Sequence, residues 1–179
     1  LDVNGTIDLT GATKTGFPAG GLTHASQWRL TADFTNIAEP IASNLIEVDT
    51  PVGFGVLGAS MTESSGVFAF PATGYWLITF NHHIIGSGGG SSYNKFKIQT
   101  TIDHTSGPTW ADANDASNQI ASDTYEQAST TSYIFDVTDV TECRCRFSVG
   151  VLNNPTILVT KGHTTDNETH MTFLRLADT

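Results

Sequence analysis

The chain has 179 residues, 39% of them hydrophobic and 15% charged, with 18 acidic against 8 basic residues and a formal net charge of -10. That is enough chain for one substantial domain with its own core, and too little for two. The acidic balance argues against a phosphate-backbone or anionic-lipid partner, and no apolar run approaches the about 20 residues of a membrane-spanning helix, so neither nucleic acid nor membrane insertion is expected.

Residues 1–25 differ in character from the rest of the chain. Leu1 with Val3, and Ile7 with Leu9, form short alternating pieces broken at Asn4-Gly5 and Gly11; Gly16, Pro18, Gly20 and Gly21 then make a joint. Asn-Gly is a tight-turn dipeptide. Such a stretch has no core of its own, so it is expected to be a short stem, linker or anchor, with the folded domain over 26–179.

From Gln27 the alternation becomes strong. Trp28, Leu30, Ala32 and Phe34 share one face, the period of two that marks a half-buried strand. The run at 54–61 predicts another short strand. Over 66–80, GVFAFPATGYWLITF, Phe68 and Phe70 lie on one face of a short strand, Pro71 stops it, and Thr73-Gly74 turns the chain. A long strand then runs from Tyr75 to about Ile85, with Trp76, Ile78 and Phe80 on one face. The glycine-rich stretch 86–92 reads as a hairpin loop, because it lacks the Lys-Ser/Thr ending and the following helix of a phosphate cradle. Phe96, Ile98, Thr100 and Ile102 alternate with Lys95, Lys97, Gln99 and Thr101.

The polar segment 103–130 reads as long solvated loop, and its 112–121 portion lacks the apolar stripe of a helix. Tyr133, Phe135 and Val137 resume the alternation. Cys143, Cys145, Phe147, Val149 and Val151 continue it opposite Arg144, Arg146 and Ser148, and runs at 156–160 and 169–176 complete the set. About ten strands separated by turns predict an all-β antiparallel sandwich. Cys143 and Cys145, on one face of one strand, rarely meet disulfide geometry at that spacing. They read as two reduced core thiols rather than half of a metal site.

The run Phe68-x5-Gly74-x-Trp76-x-Ile78-x-Phe80 resembles the signature of the complement-1q globular-head family, relatives of the tumour necrosis factor ligands. Trp76 stands where that family usually has tyrosine, and Ile78 where it usually has phenylalanine. The run MTFLRL from Met171 to Leu176 resembles the family's final core strand without its usual small-residue pattern. The resemblance can cover about 26–179. It implies a jelly roll of about ten strands assembling as a homotrimer about a threefold axis. The long strand from Tyr75 would be the axial element, with Trp76, Ile78, Phe80, His82 and Phe68 as the trimer core. In addition, LDVNGTIDLTG resembles repeats that precede the heads of phage tail fibres. The phrases MTESSGVFAFPATGYWLITF, YIFDVTDV and MTFLRLADT resemble head domains of marine and cyanobacterial phages. This implies a virion protein, assembled in the host cytoplasm, exposed on the particle and joined to other virion proteins through its N-terminal segment.

Catalytic chemistry has no anchor in the sequence. There is no Gly-x-Ser-x-Gly elbow, and spacing alone does not set two of Asp112, Asp115 and Asp123 across a sugar. No catalytic residue and no cofactor are expected. His82 and His83 point to opposite faces of their strand; the one facing a threefold axis would occur three times at one height and could hold a metal or anion, although a hydrogen-bonded histidine is the ordinary reading. The resemblance implies calcium sites, for which Asp103, Asp112, Asp115, Asp136 and Asp139 offer oxygens without calcium-loop spacing. The metal question stays open on sequence. Trp110 is either a docking point for a sugar or protein epitope or a side chain packed under its own loop. Surface recognition is expected at Trp110, Tyr125, Tyr93, Asp112 and Asn114. Three functions fit: a fibre head binding a host-surface glycan or protein, a trimeric capsid decoration or head-fibre protein, and a non-viral secreted ligand.

Overall fold

The computed structural model describes residues 21–35, 37–51, 53–86, 92–120, 125–153 and 158–179. In chain order the strands are β1 (Ala25–Leu30), β2 (Phe34–Thr35), β3 (Leu45–Glu47), β4 (Thr62–Ser64), β5 (Val67–Ala69), β6 (Gly74–Gly86), β7 (Ser92–Thr101), β8 (Ala111–Ile120), β9 (Glu126–Val137), β10 (Arg144–Asn153), β11 (Leu158–Thr160) and β12 (His170–Ala177). One turn of 3-10 helix, His104–Ser106, precedes β8, and no α-helix occurs among the described residues.

The strands form two antiparallel sheets. One has five strands in the order β4-β5-β10-β7-β8. The other has seven: β3, β1, β12 and β6 lie side by side, β11 with β2 beyond it pairs the far end of β6, and β9 also pairs β6. After β6 the chain crosses to the five-stranded sheet for β7 and β8, returns for β9, crosses for β10 and returns for β11 and β12. That alternation between layers is a jelly roll.

β6 is the spine. It pairs with β9 over its length, with β12 from Tyr75 to Asn81, and with β11 from Ile84 to Gly86. Its burial alternates without a break: Trp76, Ile78, Phe80, His82 and Ile84 face inward, while Tyr75, Leu77, Thr79, Asn81, His83 and Ile85 face outward. The β4–β5 hairpin turns through Ser65 (φ 52°) and Gly66 (φ 82°), the two left-handed residues that a two-residue hairpin requires. A β-carbon on Gly66 would collide with the carbonyl oxygen of Ile41.

The core lies between the sheets. Phe68 packs against Trp28, Phe147 and Phe173, and Phe80 against Phe96 and Phe147, in edge-to-face or tilted pairs with ring centroids 5.0–5.5 Å apart. Phe70, Trp76 and Phe135 form a neighbouring group. A second, smaller cluster of Ile84, Ile120 and Leu158 closes the far end. Between the two lies a buried polar layer of His82, Asn94, Asn118 and Thr160. The free thiols of Cys143 and Cys145 are buried in the main core.

Two sequence expectations are corrected. Residues 54–61 form no strand: Phe54, Val56 and Leu57 are exposed, and only Leu57 makes an isolated bridge, to Ala25. The segment 103–130 is not one long loop, because β8 occupies its middle and β9 begins within it. β8 was hidden by a register shift opposite Ile98 and Gln99. The shift puts Ala113 and Ala116, three apart, against the core, which removes the period-two signal.

Candidate functional site

The seven-stranded sheet turns an apolar band outward. Ile134 on β9, Leu77 on β6, Leu174 on β12 and Ala25 on β1 are successive cross-strand partners, and Leu57 bridges to Ala25 at the end of the row. Ile134 is 55% exposed, Leu57 47% and Tyr75 40%. The next row is polar: Ser132, Thr79, Thr172 and Gln27, with Gln27 Nε2 donating to Thr172 Oγ1 at 3.2 Å.

The five residues expected in a trimer core do not belong to this outer face. Phe68, Trp76, Ile78, Phe80 and His82 are at most 1% exposed, filled in by their own chain between the two sheets. Asn118 Nδ2 donates to both the backbone oxygen and Nδ1 of His82, each at 3.2 Å, and Nε2 lies 3.0 Å from Thr160 Oγ1. Nδ1 is thus an acceptor, and Nε2 carries the proton of the neutral ring. Burial, reinforced by the nearby His83, depresses the His82 pKa to about 3. His83 is the histidine on the outer face, 3.6 Å from Glu126.

The five-stranded sheet has a different outer face. Trp110, just before β8, lies under the Arg146 guanidinium, 4.3 Å from carbon to ring centroid. Arg146 Nε and Ser148 Oγ both donate to Gln99 Oε1 at 2.8 Å, and Gln99 Nε2 donates to Asp112 Oδ1 at 2.7 Å. Lys97 Nζ sits 2.9 Å from Asp112 Oδ2. The Lys97 and Gln99 hydrogen bonds hold the Asp112 carboxyl below its usual range. Trp110 is therefore neither stranded in solvent nor tucked under a loop; it is one layer of an ordered polar surface.

The other expected recognition residues are dispersed. Asn114 reaches across the sandwich edge to donate to the Ser132 carbonyl at 2.8 Å. Tyr93, 40% exposed, sits at the opposite end of β7, roughly 20 Å from Gln99 by strand rise, and Tyr125, 63% exposed, precedes β9 beside the end of β6. Asp103, Asp115, Asp136 and Asp139 do not converge: among the described residues no three of His, Cys, Asp and Glu are placed to hold a metal ion. Asp123 lies outside the described residues. Asp112 and Asp115 are engaged by Lys97 and Lys95. In the sequence Arg144 and Arg146 show only as the polar residues opposite the core cysteines. Their alternation was visible; the register that sets Gln99 and Trp110 beside them was not.

No protein-family model matches the sequence, and no curated protein does. Among solved structures, Eiger TNF from S. frugiperda aligns with a TM-score of 0.60 at 10% identity, over 89% of this chain and 96% of that one. Murine APRIL aligns with a TM-score of 0.59 at 8% identity, over 86% and 98%; its structure at pH 8.5 gives 0.54 over the same shares. At that identity the likeness is one of architecture, and it extends over 86–89% of the chain. The chain has a tumour necrosis factor-like jelly-roll fold.

Proposed function

We propose that this chain is the homotrimeric head of a phage virion appendage, exposed on the particle, which binds a host-surface glycan or protein and performs no catalysis. The observation that carries the reading is the contrast between its two outer faces. The apolar band of Ile134, Leu77, Leu174 and Leu57 is uncovered in the single chain and suits self-association, as a contiguous exposed apolar patch does in general. The opposite face, with Trp110, Arg146 and Gln99, is ordered, polar and open to a ligand. The virion setting is supported by the fibre-like LDVNGTIDLTG, which falls outside the described residues, and residues 1–25 serve in this reading as the link to other virion proteins. Thr23 and His24, at the end of that segment, already touch the sandwich: Arg175 Nη1 donates to Thr23 Oγ1 at 2.9 Å, and Arg175 N donates to the His24 oxygen at 3.0 Å.

The test is to add the purified chain to cells of the host and measure adherence and protection from infection. Saturable adherence that blocks infection is the expected result. A folded trimer that neither adheres nor blocks, and whose loss weakens the capsid, would instead make it a decoration protein.

A further inference from the structure

The described basic residues fall into two groups. Arg29 pairs with Asp49, Lys95 with Asp115, Lys97 with Asp112, Lys161 with Asp33 and Arg175 with Asp178. Only Arg144 and Arg146 have no carboxylate within the 4.0 Å of an ion pair among the described residues. In a chain with 18 acidic residues, two unneutralised guanidiniums on one strand are conspicuous. They occupy alternate positions of β10 and so share the outer face, their Cα atoms roughly 7 Å apart.

Both heads are held in place by neutral groups. Arg144 Nη1 donates to the carbonyls of Val140 and Cys143, each at 2.7 Å. Arg146 is fixed by Gln99 Oε1 and by the Trp110 ring. Asp112 and Glu39 act on Arg146, and Asp139 on Arg144, only from a distance. That leaves Arg146 Nη1 and Nη2, and Arg144 Nε and Nη2, without a hydrogen-bond partner among the described residues. Immobilised donors of this kind lose little freedom on binding, and a guanidinium fork matches a planar carboxylate.

The neighbouring strands supply the rest of a site. Arg144 faces Ala69 and, beyond it, Thr62; Arg146 faces Val67 and, beyond it, Ser64. A cleft of about 420 Å³ runs along this surface beside Arg144, within the size range of small-ligand sites. Its floor is apolar at Val67 and Ala69, and its rim carries the Thr62 and Ser64 hydroxyls. His104 adds a buried ring nitrogen, Nδ1, that has no hydrogen-bond partner among the described residues. Glu63 also borders the cleft, with Oε1 accepting from the Gly66 amide at 2.5 Å.

We infer that this face binds a carboxylated sugar, the carboxylate lying between Arg144 and Arg146, the ring hydroxyls meeting Thr62 and Ser64, and the ring's C–H face resting on Val67 and Ala69. The inference rests on the binding role proposed above and names the ligand class for it. An acidic peptide could satisfy the guanidiniums but offers no ring hydroxyls to the rim, and a neutral sugar leaves both guanidiniums unanswered.

The experiment titrates the full chain against galacturonate, glucuronate and sialic acid oligosaccharides, their carboxyl-reduced forms, a sugar phosphate and tetraglutamate. At least one carboxylated sugar should bind. Reduction of its carboxyl, or the double substitution Arg144→Gln/Arg146→Gln, should each weaken binding at least tenfold. Arg146→Lys, which keeps the charge and loses the fork, should fall between. Because Arg144 also holds the 140–143 turn, each variant's melting curve is recorded; if the double variant does not fold, Arg146→Gln alone and the ligand-induced rise in the wild-type melting temperature decide the matter. Failure of every carboxylated sugar to bind, equal binding of the reduced form, or tighter binding of tetraglutamate or the sugar phosphate overturns the inference. Cells separate it from the broader reading: undiminished adherence of the double variant removes the arginine site and leaves the binding role standing, whereas absence of adherence by a wild-type chain that binds the free sugar removes the host-binding role alone.

Discussion

His82 is a titratable group shut inside the sandwich, and its confinement sets a pH dependence. The folded ring stays neutral down to about pH 3, while the unfolded ring takes up a proton near pH 6.5. Its contribution to stability is therefore complete above about pH 6.5 and falls by about 1.4 kcal/mol per unit toward pH 3. His24, its pKa lowered by burial and Arg175, acts in the same direction. Urea unfolding between pH 7 and 4.5 should show stability dropping with pH, and His82→Asn should flatten the slope; unchanged slopes would remove His82 as the cause. A second residue-scale prediction concerns Gly66, whose left-handed φ and contact with the Ile41 carbonyl leave no room for a β-carbon. Gly66→Ala should cost at least about 1–2 kcal/mol in the same assay. Nothing in the residue pattern warned of Arg29. Alternation put it outward, yet it is fully buried, because loops carrying Asp49, Thr50 and Thr165 fold over the sheet and take its donors.

At the scale of elements, β6 organises the molecule. Its length and its three hydrogen-bonded neighbours place its amides among the last to open. Hydrogen exchange should be slowest from Trp76 to Ile84 and much faster in β8, an edge strand whose one ladder partner among the described residues is β7. Comparable protection in both would mean that the two sheets do not open separately. The same pair shows what sequence can and cannot disclose. β6 buries one side against a neighbouring sheet, so selection of side chains by burial writes a strict alternation into it. In β8 the core side is filled by Ala113, Ala116, Asn118 and Ile120, small or polar at three of four places and interrupted by a bulge. The stretch 54–61 misled in the opposite sense. Phe54, Val56 and Leu57 leave their side chains exposed, with Leu57 bridging to Ala25, while Met61 at the end of the stretch enters the core; most of the hydrophobicity there thus reflects a surface and not a strand.

For the whole molecule, fold class and core membership were legible from residue periodicity, because both depend on local spacing. The proposed partner faces depend on cross-strand register, which brings Leu77 beside Leu174 and Arg146 beside Gln99 across long stretches of chain. Assembly through the apolar band gives a clear expectation. Leu77→Glu with Ile134→Glu should convert the proposed trimer to monomer in light scattering while leaving the melting transition of each chain intact. Phe80→Ala, in the core, should instead cost about 3–5 kcal/mol of chain stability. If the paired glutamates left the oligomer unchanged, self-association would have to use another face.

The depth of Cys143 and Cys145, 1% and 0% exposed, turns the two thiols into a clock. Attack on a disulfide reagent requires an accessible thiolate, and burial raises the Cys145 pKa far from that state. In native buffer the reagent reaches the sulfurs only during openings of the sandwich, so at reagent concentrations where attack outpaces reclosing the rate of modification measures how often the folded chain comes apart. Because both sulfurs sit on one face of the same core, they should react together: a chain carrying one label will be rare beside chains carrying none or two.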